Sequence, residues 1–483
     1  MKIKLFALMS ALMILFAGCA DRDAAAPITD VQTLSAEESI KTEESTETKE
    51  TPYIPEGTDF GGYDFRIIAR GIGKWACQDM YTENLTGSVL NDAIYDRNVY
   101  CEDALKYSIS QTLIPDDSKL YNTIVNTVQS GSDDYDLVWV NSVNIAKLAM
   151  KGMLADMNSI STLDLSHSWW DQRAVESLMI NNRVYYTTGD ISTISKNAVY
   201  VIAFNKKLLS EYNLPDVYSL VNEGEWTIDN MGNIAAQISS DIDGDGVITE
   251  KDLFGFMTYN CDNIGFLLSS GGSIAVISGS EITTKYNNDN TVSMLMKLTT
   301  MRQSESTYFF TSDDVANTVF TEGRVLFVFR TLINLNFYRD METDYGILPT
   351  PKLNEEQDRY YCGEHAYGLS LIGIPVTAGN LERTGTILEV MSSKSQELVT
   401  PAFYEQTLKG KFFRDEDSGA MLDIIFNSRV YDFGYFNNWG GIPEKLQTYS
   451  SQNKSEFSSL FESVDEQVNN SIEIAVEAFS NLD

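Results

Sequence analysis

Histidine and basic residues are the two classes that this sequence has little of. Its 483 residues include two histidines, His167 and His365, which leave little material for histidine-based acid–base catalysis. Lysine and arginine number 35 against 69 aspartates and glutamates, so the net charge is −34. Such a chain repels the phosphate backbone, which argues against nucleic acid as a partner. A locally cationic pocket stays compatible with this composition.

Cysteine is also scarce. Apart from Cys19, the chain contains Cys77, Cys101, Cys261 and Cys362, which lie far apart and form no CxxC pair. This spacing argues against a zinc site. Outside the cytoplasm the four thiols could form one or two disulfides, and the sequence leaves their pairing open.

The N-terminus has the layout of a bacterial lipoprotein signal. A positive start precedes an uncharged apolar run over residues 5–17, which is too short to cross a bilayer as a helix. The run leads into LFAGC, which resembles a lipobox although Phe16 stands where leucine is usual. We predict a signal peptide over residues 1–18 and a diacylglycerol on Cys19. The alternative is an ordinary secretory signal with a chance cysteine.

A solvated tether is predicted to follow that cysteine. Residues 19–56 are dominated by acidic residues, Ser, Thr and Ala, and no aromatic residue of this segment precedes Tyr53. Such a segment buries too little apolar surface to offset its ordering entropy. The body that follows is about 430 residues long, which is too long for one hydrophobic core and sufficient for two.

Strands and helices alternate along the body. The runs Tyr63–Ile68, Tyr135–Val140, Tyr200–Phe204 and Val325–Phe329 are typical of strands, and helical spacing lies between them. The C-terminal part is largely helical. This order predicts an α/β fold with mostly parallel sheets covered on both faces, divided into two lobes with more than one crossing between them.

The order of these segments resembles the extracellular solute-binding proteins of ABC importers, of the maltodextrin-binding type (family 1 lipoproteins). The order is more specific than any single segment. The similar segments are YDLVWVNSVNIAKLAMKGMLADM (135–157), VYYTTGDISTISKNAVYVIAFNKKLL (184–209), EWTIDNMGNIAAQISSDIDGDG (225–246), FTEGRVLFVFRT (320–331), DYGILPTPKL (344–353) and NNWGG (437–441).

The resemblance implies a two-lobed clamp of the periplasmic-binding-protein type (type II), with hinge crossings and a helical C-terminus. Crossings are expected near Gly189–Ser195 and Glu364–Tyr367, where backbone rotation would accompany closure on a ligand. The lobes would comprise residues 57–193 with 366–400, and residues 194–365 with 401–483.

Ligands of open α/β sheets bind beyond the carboxyl ends of the strands. The candidate ligand-binding residues are therefore in the loops that follow the strands. Trp75 and Trp439 could stack on a sugar face, and Arg330 could bind hydroxyls or a uronate. Arg330 stands where the maltodextrin-type family carries an aromatic residue, which argues against a maltodextrin. Surface packing of Trp75, a turn role of Asp190 and core packing of Trp439 are the alternatives. The predicted ligand-binding residues are Trp75, Asn141, Asp190, Arg330, Tyr435, Asn438 and Trp439.

The segment DIDGDGVITEKD (241–252) resembles an EF-hand loop, with aspartate at position twelve as in dockerin-type loops. It predicts a structural Ca²⁺ held by the side chains of Asp241, Asp243, Asp245 and Asp252 and by the carbonyl of Val247. The alternative is an acidic loop without an ion.

We therefore predict a monomeric lipoprotein on the outer face of the cell membrane. It would bind a small solute, a carbohydrate, and deliver it to ABC permease subunits without enzymatic activity. One alternative is a secreted carbohydrate-active enzyme, since acidic pairs are plentiful, although no hydrolase motif is visible. The other is a calcium-dependent surface adhesion module, although a single loop inside a lobe argues against it.

Overall fold

The structure is a computed structural model that describes residues 50–259, 262–409, 417–451 and 456–482. The predicted signal peptide, Cys19, Cys261 and the predicted tether up to residue 49 lie outside these ranges. Glu50, near the end of the predicted tether, accepts hydrogen bonds from the amide and hydroxyl of Ser168 at 2.9 and 2.7 Å. Among the described helices, none combines the length and apolar character needed to span a membrane.

The strands of the described residues range from two to eight residues in length. In chain order they are β1 (Tyr63–Arg70), β2 (Tyr107–Ile114), β3 (Leu137–Asn141), β4 (Tyr200–Asn205), β5 (Ser239–Ser240), β6 (Leu253–Thr258), β7 (Ser273–Ser278), β8 (Glu281–Lys285), β9 (Thr307–Phe309), β10 (Val325–Thr331), β11 (Tyr345–Pro349), β12 (Cys362–Gly363), β13 (Ser370–Gly373) and β14 (Arg429–Val430).

The α-helices surround these strands, and the last five dominate the C-terminal part. They are α1 (Val89–Leu105), α2 (Asp117–Gln129), α3 (Ser142–Met150), α4 (Gln172–Leu178), α5 (Lys206–Glu211), α6 (Val217–Glu223), α7 (Ile228–Ala235), α8 (Asn263–Ser269), α9 (Asp289–Arg302), α10 (Asp313–Thr321), α11 (Leu381–Lys409), α12 (Asp417–Asn427), α13 (Phe433–Phe436), α14 (Ile442–Ser451) and α15 (Phe457–Ser480).

The first sheet has the strand order β13-β3-β1-β2. β1 runs parallel to β2 and β3, and β13 joins antiparallel at the edge. Every residue of β3 is buried, as expected for a strand covered by helices on both faces. Helix α1 packs against α11 on this lobe. The two-lobed α/β architecture with a helical C-terminal part is confirmed.

The second sheet has the order β11-β4-β10-β6-β5, with β9 on β6. Here the prediction of mostly parallel strands is wrong, because β4 pairs antiparallel with both β10 and β11. The physical reason is the crossing: β4 enters its sheet from the other lobe, so it starts at the edge where β6, β9 and β10 end. The same holds for β13 in the first sheet.

Two connecting segments run side by side between the sheets, where Val199 forms an antiparallel bridge with Glu364. Arg429 ties them together. Its guanidinium donates to the Glu364 carboxylate, to the carbonyl oxygen of Ser195 at 3.1 Å and to the Asp171 carboxylate at 3.1 Å. Arg429 and Glu364 are both buried, so this contact holds the two crossings in a fixed relation.

The cysteines of the described residues do not form disulfides with one another. Cys77, Cys101 and Cys362 are buried free thiols. Burial raises the pKa of the Cys362 thiol to about 11, which keeps it protonated. These three residues therefore act as small apolar core side chains.

Candidate ligand-binding cleft

A cavity of about 320 Å³ lies between the two sheets, at the edge where their strands end. The first lobe contributes Lys74 and Trp75, which follow β1, and the crossing segment contributes His365. The second lobe supplies the rest of the wall from the ends of β6, β9 and β10, the starts of β4 and α10, and the 3-10 turn after β10. These residues are Tyr200, Tyr259, Asp262, Phe310, Thr311, Ser312, Asp313, Phe329, Arg330, Thr331 and Asn334.

Trp75 is placed by a tight loop after β1. A short 3-10 turn over Gly73–Trp75 follows the strand, and Trp75 N donates to the carbonyl oxygen of Ile72 at 3.1 Å. The indole lies against Gly368, where a Cβ atom would come within 2.6 Å of the ring. Glycine at 368 therefore leaves the space that the indole occupies. Trp75 is half-buried, so part of its ring faces the cavity.

One carboxylate in the cavity contacts cations of both lobes. Asp313, the first residue of α10, lies 2.6 Å from Lys74 Nζ of the first lobe and 3.0 Å from Arg330 Nη2 of the second. Burial alone would raise the pKa of Asp313, but Arg330 and Lys74 outweigh it and lower that pKa. Arg330 also lies over the ring of Phe310, at 5.2 Å from its centroid.

Two buried nitrogen atoms of the cavity wall have no hydrogen-bond partner among the described residues. They are Nε of Arg330 and Nδ1 of His365. Leaving a buried polar group without a partner costs about 1–3 kcal/mol, so a ligand that brings hydroxyl groups within reach of these atoms would gain by pairing with them. Burial, with Lys74 and Arg70 nearby, lowers the pKa of His365 to about 4, so its imidazole is neutral at pH 7.

The cavity also contains a ring platform and a buried acid. The Trp75 and His365 rings are parallel within 2°, with centroids 6.0 Å apart. Asp262 is buried and accepts hydrogen bonds from Thr258 Oγ1 at 2.9 Å and from the amide of Tyr259 at 2.7 Å. Burial raises the pKa of Asp262 to about 6. An apolar ring face beside several donors and acceptors is the pattern that binds a polyhydroxylated ring.

Of the seven predicted binding residues, the structure brings Trp75 and Arg330 into this cavity. Asn141 instead caps α3, where its Oδ1 accepts from the amide of Asn144 at 2.9 Å. Asp190 lies in a separate cavity and accepts hydrogen bonds from Lys196 at 3.0 Å and Thr400 at 2.7 Å. The side chains of Asn141 and Asp190 therefore have structural partners.

The late aromatic segment lies outside the cavity lining. Trp439 is 3% exposed and packs edge-on against Phe433, with ring centroids 5.5 Å apart. Tyr435 is 4% exposed, and its hydroxyl accepts from the amide of Ala366 at 3.5 Å. Asn438 adopts a left-handed conformation (φ 49°) that turns the chain. In this structure Trp439 and Tyr435 are core residues, and a ligand role for the three stays a prediction.

The acidic loop at residues 241–252 gathers three carboxylates. Oxygen atoms of Asp241, Asp243 and Asp252 lie within 4.8 Å of one another. Asp252 is buried and accepts from the amides of Ile242 at 3.0 Å and Thr249 at 2.7 Å. The predicted fourth carboxylate, on Asp245, is outside this group, and it accepts from the amide of Val247 at 2.7 Å.

The loop can therefore fit a hard cation through three of its predicted side chains. The bonds to Asp252 lower the pKa of that carboxyl, so it is ionised at neutral pH. Gly244 and Gly246 have positive φ values of 73° and 79°, which supply the sharp turns that such a loop needs.

A two-lobed α/β clamp with a polar, ring-lined cavity between its sheets is the architecture of a solute-binding protein. Residues 102–400 match the family of bacterial extracellular solute-binding proteins, so the chain belongs to that family. Its members act outside the cytoplasm. Among curated protein sequences, none matches this chain.

Solved structures of binding proteins share the fold at low sequence identity. An ABC substrate-binding protein from Listeria monocytogenes, in complex with cycloalternan, has 12% identity and a TM-score of 0.54 over 85% of this chain and 99% of its own. A cyclo/maltodextrin-binding protein complexed with maltotetraose has 12% identity and a TM-score of 0.55 over 87% and 97%. A solute-binding protein from Thermotoga lettingae, bound with α-D-tagatose, has 13% identity and a TM-score of 0.52 over 86% and 100%.

Proposed function

We propose that this chain captures a sugar in the cavity between its lobes and delivers it to the permease subunits of an ABC importer. One observation carries the proposal: a half-buried tryptophan lies in the same cavity as two buried nitrogen atoms that have no hydrogen-bond partner within the described part of the chain. The solved relatives, which are complexes with cycloalternan, maltotetraose and tagatose, support a carbohydrate.

The arrangement suggests how a sugar would lie. The C–H face of the ring would pack on the exposed part of Trp75, which removes apolar surface from water. Hydroxyl groups would accept from Arg330 Nε and pair with His365 Nδ1, two buried atoms for which the described residues supply no partner. Because Trp75 and Arg330 belong to different lobes, the bound sugar would hold the lobes together.

We propose that the chain performs no chemistry on this sugar. The carboxylate of Asp313 is held by two cations, and the half-buried His365 stays neutral at pH 7. Reversible capture requires hydrogen bonds and stacking alone.

A calorimetric titration against neutral sugars tests the function. The panel contains maltotetraose, cycloalternan and tagatose together with common mono- and disaccharides, and thermal unfolding is followed in parallel. A sugar that binds only the folded chain stabilises it by about 2.7 kcal/mol when the sugar concentration is about a hundred times Kd. This stabilisation raises the melting temperature. We expect at least one sugar to give both signals. If every sugar leaves both measurements unchanged, the proposal fails.

We also propose that the loop of residues 241–252 holds a structural Ca²⁺. Asp241, Asp243 and Asp252 would supply three of the oxygen ligands, because hard cations prefer carboxylates that converge in this way. Asp245 and the carbonyl of Val247 would complete the set, as in an EF-hand loop, after the Asp245 side chain turns away from its present bond to the Val247 amide.

We further propose that the chain is a monomer anchored by a diacylglycerol on Cys19. The lipobox-like LFAGC and the acidic tether after it support the anchor. We expect the protein to sediment with membranes and a Cys19→Ser variant to appear in the medium. Equal partition of the two proteins in cell fractionation would contradict the anchor.

A further inference from the structure

We propose that Asp313 is a specificity-determining residue that excludes acidic sugars from the cavity, because it already occupies the two cations to which a ligand carboxylate would bind. This inference rests on the proposed sugar-binding function and adds to it a choice between neutral and anionic ligands.

The geometry of Asp313 carries the argument. Its two carboxylate oxygens contact different cations: Oδ2 lies 2.6 Å from Lys74 Nζ, and Oδ1 lies 3.0 Å from Arg330 Nη2. Lys74 belongs to the first lobe, and Arg330 and Asp313 belong to the second. A carboxylate that bridges two cations in this way stands in the place of an anionic ligand group.

The charges that line the cavity are balanced. Among the described residues of its wall, Lys74 and Arg330 are cationic, and Asp262 and Asp313 carry the carboxyl groups. Arg330 is 5% exposed, so its charge is poorly screened by water and depends on Asp313 for neutralisation. A neutral sugar keeps this balance. A uronate would add a net negative charge to a partly enclosed space.

A uronate would also meet Asp313 directly. To reach Arg330 or Lys74, its carboxylate must approach within a few ångströms of the Asp313 carboxylate, and like charges repel at that distance. Arg330 Nε, which has no hydrogen-bond partner among the residues that the structure describes, is a suitable donor to an uncharged hydroxyl. The side chain of Asp313 is half exposed, so the exclusion should weaken as salt concentration rises.

The test is a comparison of matched sugar pairs by calorimetry, using the full chain after its predicted signal peptide. The pairs are glucose with glucuronate and galactose with galacturonate, together with any neutral sugar that binds and its carboxylated form. The measured quantity is the ratio of the neutral-sugar affinity to the uronate affinity. We expect the wild-type ratio to be roughly tenfold or more in favour of the neutral sugar.

The variant Asp313→Asn keeps the shape of the side chain and removes its charge. It leaves Lys74 and Arg330 with one carboxylate fewer, so we expect the ratio to fall by roughly tenfold or more. Any weakening that arises from the lost contact between the lobes affects both members of a pair and cancels in the ratio. The matched control is Asp314→Asn, which removes the same charge from the next residue of α10, outside the cavity wall. It should leave the ratio unchanged.

The outcomes are distinct. A wild-type chain that binds uronates as tightly as neutral sugars overturns the inference and leaves sugar capture standing. An Asp313→Asn variant with the same ratio of neutral-sugar affinity to uronate affinity as the wild type also overturns the inference and leaves sugar capture standing. A chain that binds neither member of any pair and no sugar of the wider panel overturns the proposed function, and the role of Asp313 with it.

Discussion

At the scale of single residues, His365 illustrates how the cavity wall combines structure with recognition. Its amide donates to the carbonyl oxygen of Ala198 on the neighbouring crossing at 3.0 Å, while its ring lies parallel to that of Trp75. The same residue therefore connects the two crossings and supports the proposed stacking platform. Its burial keeps the imidazole neutral, which spares the cavity a third positive charge beside Lys74 and Arg330.

The neutral state of His365 predicts a pH dependence of stability. An unfolded chain protonates histidine below a pH of about 6.5, whereas the pKa of His365 in the folded chain is about 4. The unfolded state therefore binds more protons between these values, and stability is lost as the pH falls through this interval. We expect His365 to account for about 2 kcal/mol of the loss between pH 7 and pH 5.

Urea unfolding of the wild type and of a His365→Gln variant at both pH values measures this contribution. The carboxylates titrate in both proteins, so the difference between the two pH dependences isolates His365. The free energy of unfolding of the variant should fall by about 2 kcal/mol less than that of the wild type. Equal losses in both proteins would show that His365 is not held neutral by burial.

The residues of the cavity were only partly predictable from the sequence. Trp75 follows β1 and Arg330 lies at the end of β10, and both strands are visible as apolar runs in the sequence. Because ligands bind beyond the carboxyl ends of such strands, these two residues could be predicted. Tyr259 and Asp262 follow β6, which was not predicted because Gly255 interrupts its run. A Cβ at Gly255 would lie 1.8 Å from the carbonyl oxygen of Ala235, so this glycine marks close packing inside a strand.

At the scale of elements, the sequence located strands of both sheets, among them β1, β3, β4 and β10, but not their directions. The run Tyr200–Phe204 has the same pattern in a parallel and in an antiparallel sheet, and its antiparallel pairing follows from the crossing that precedes it. The apolar segment Val184–Thr188 is not a strand, and its contact with the first sheet is an isolated bridge between Thr187 and Ile372. The hairpin of β7 and β8 was missed, since its second strand is largely exposed and carries little apolar pattern.

Aromatic residues in the late helices show a second limit of the sequence. The resemblance to the maltodextrin-binding type placed Trp439 and Tyr435 in the ligand cleft, with core packing of Trp439 as the alternative. The structure packs their segment beneath α15, whose apolar side covers it. A single sequence does not reveal which element covers a given aromatic ring, because that contact joins residues far apart in the chain.

The acidic loop gives a prediction at the scale of one element. Asp241, Asp243 and Asp252 repel one another when no cation is present, so removing Ca²⁺ should destabilise the second lobe. We expect a calcium chelator to lower the melting temperature of the wild type and to have no such effect on Asp241→Asn. The control is Glu250→Gln, in the same loop but outside the carboxylate group, which should keep the sensitivity. If the melting temperature of the wild type is the same with and without chelator, the loop does not hold a structural Ca²⁺.

At the scale of the whole molecule, two sheets meet along one cavity and are joined by adjacent crossings. The ends of β1, β6, β9 and β10 converge there, so residues from distant parts of the sequence face one space. The buried contact of Arg429 with both crossings fixes their relation, while the exposed contact of Lys74 with Asp313 spans the two lobes. Such a molecule can close on a ligand through its lobes and keep its hinge intact.

The location of the sugar is the central claim, and one pair of titrations tests it. Trp75→Ala removes a half-buried ring from the cavity wall, and Trp439→Ala removes a buried ring outside it. With the sugar that binds the wild type, we expect Trp75→Ala to weaken affinity by about ten- to a hundredfold.

Trp439→Ala should instead lower the free energy of unfolding by about 3–5 kcal/mol and leave the affinity of the folded protein within about twofold. The opposite result, a large loss of affinity in Trp439→Ala and none in Trp75→Ala, would contradict the assignment of the cavity between the lobes as the binding site.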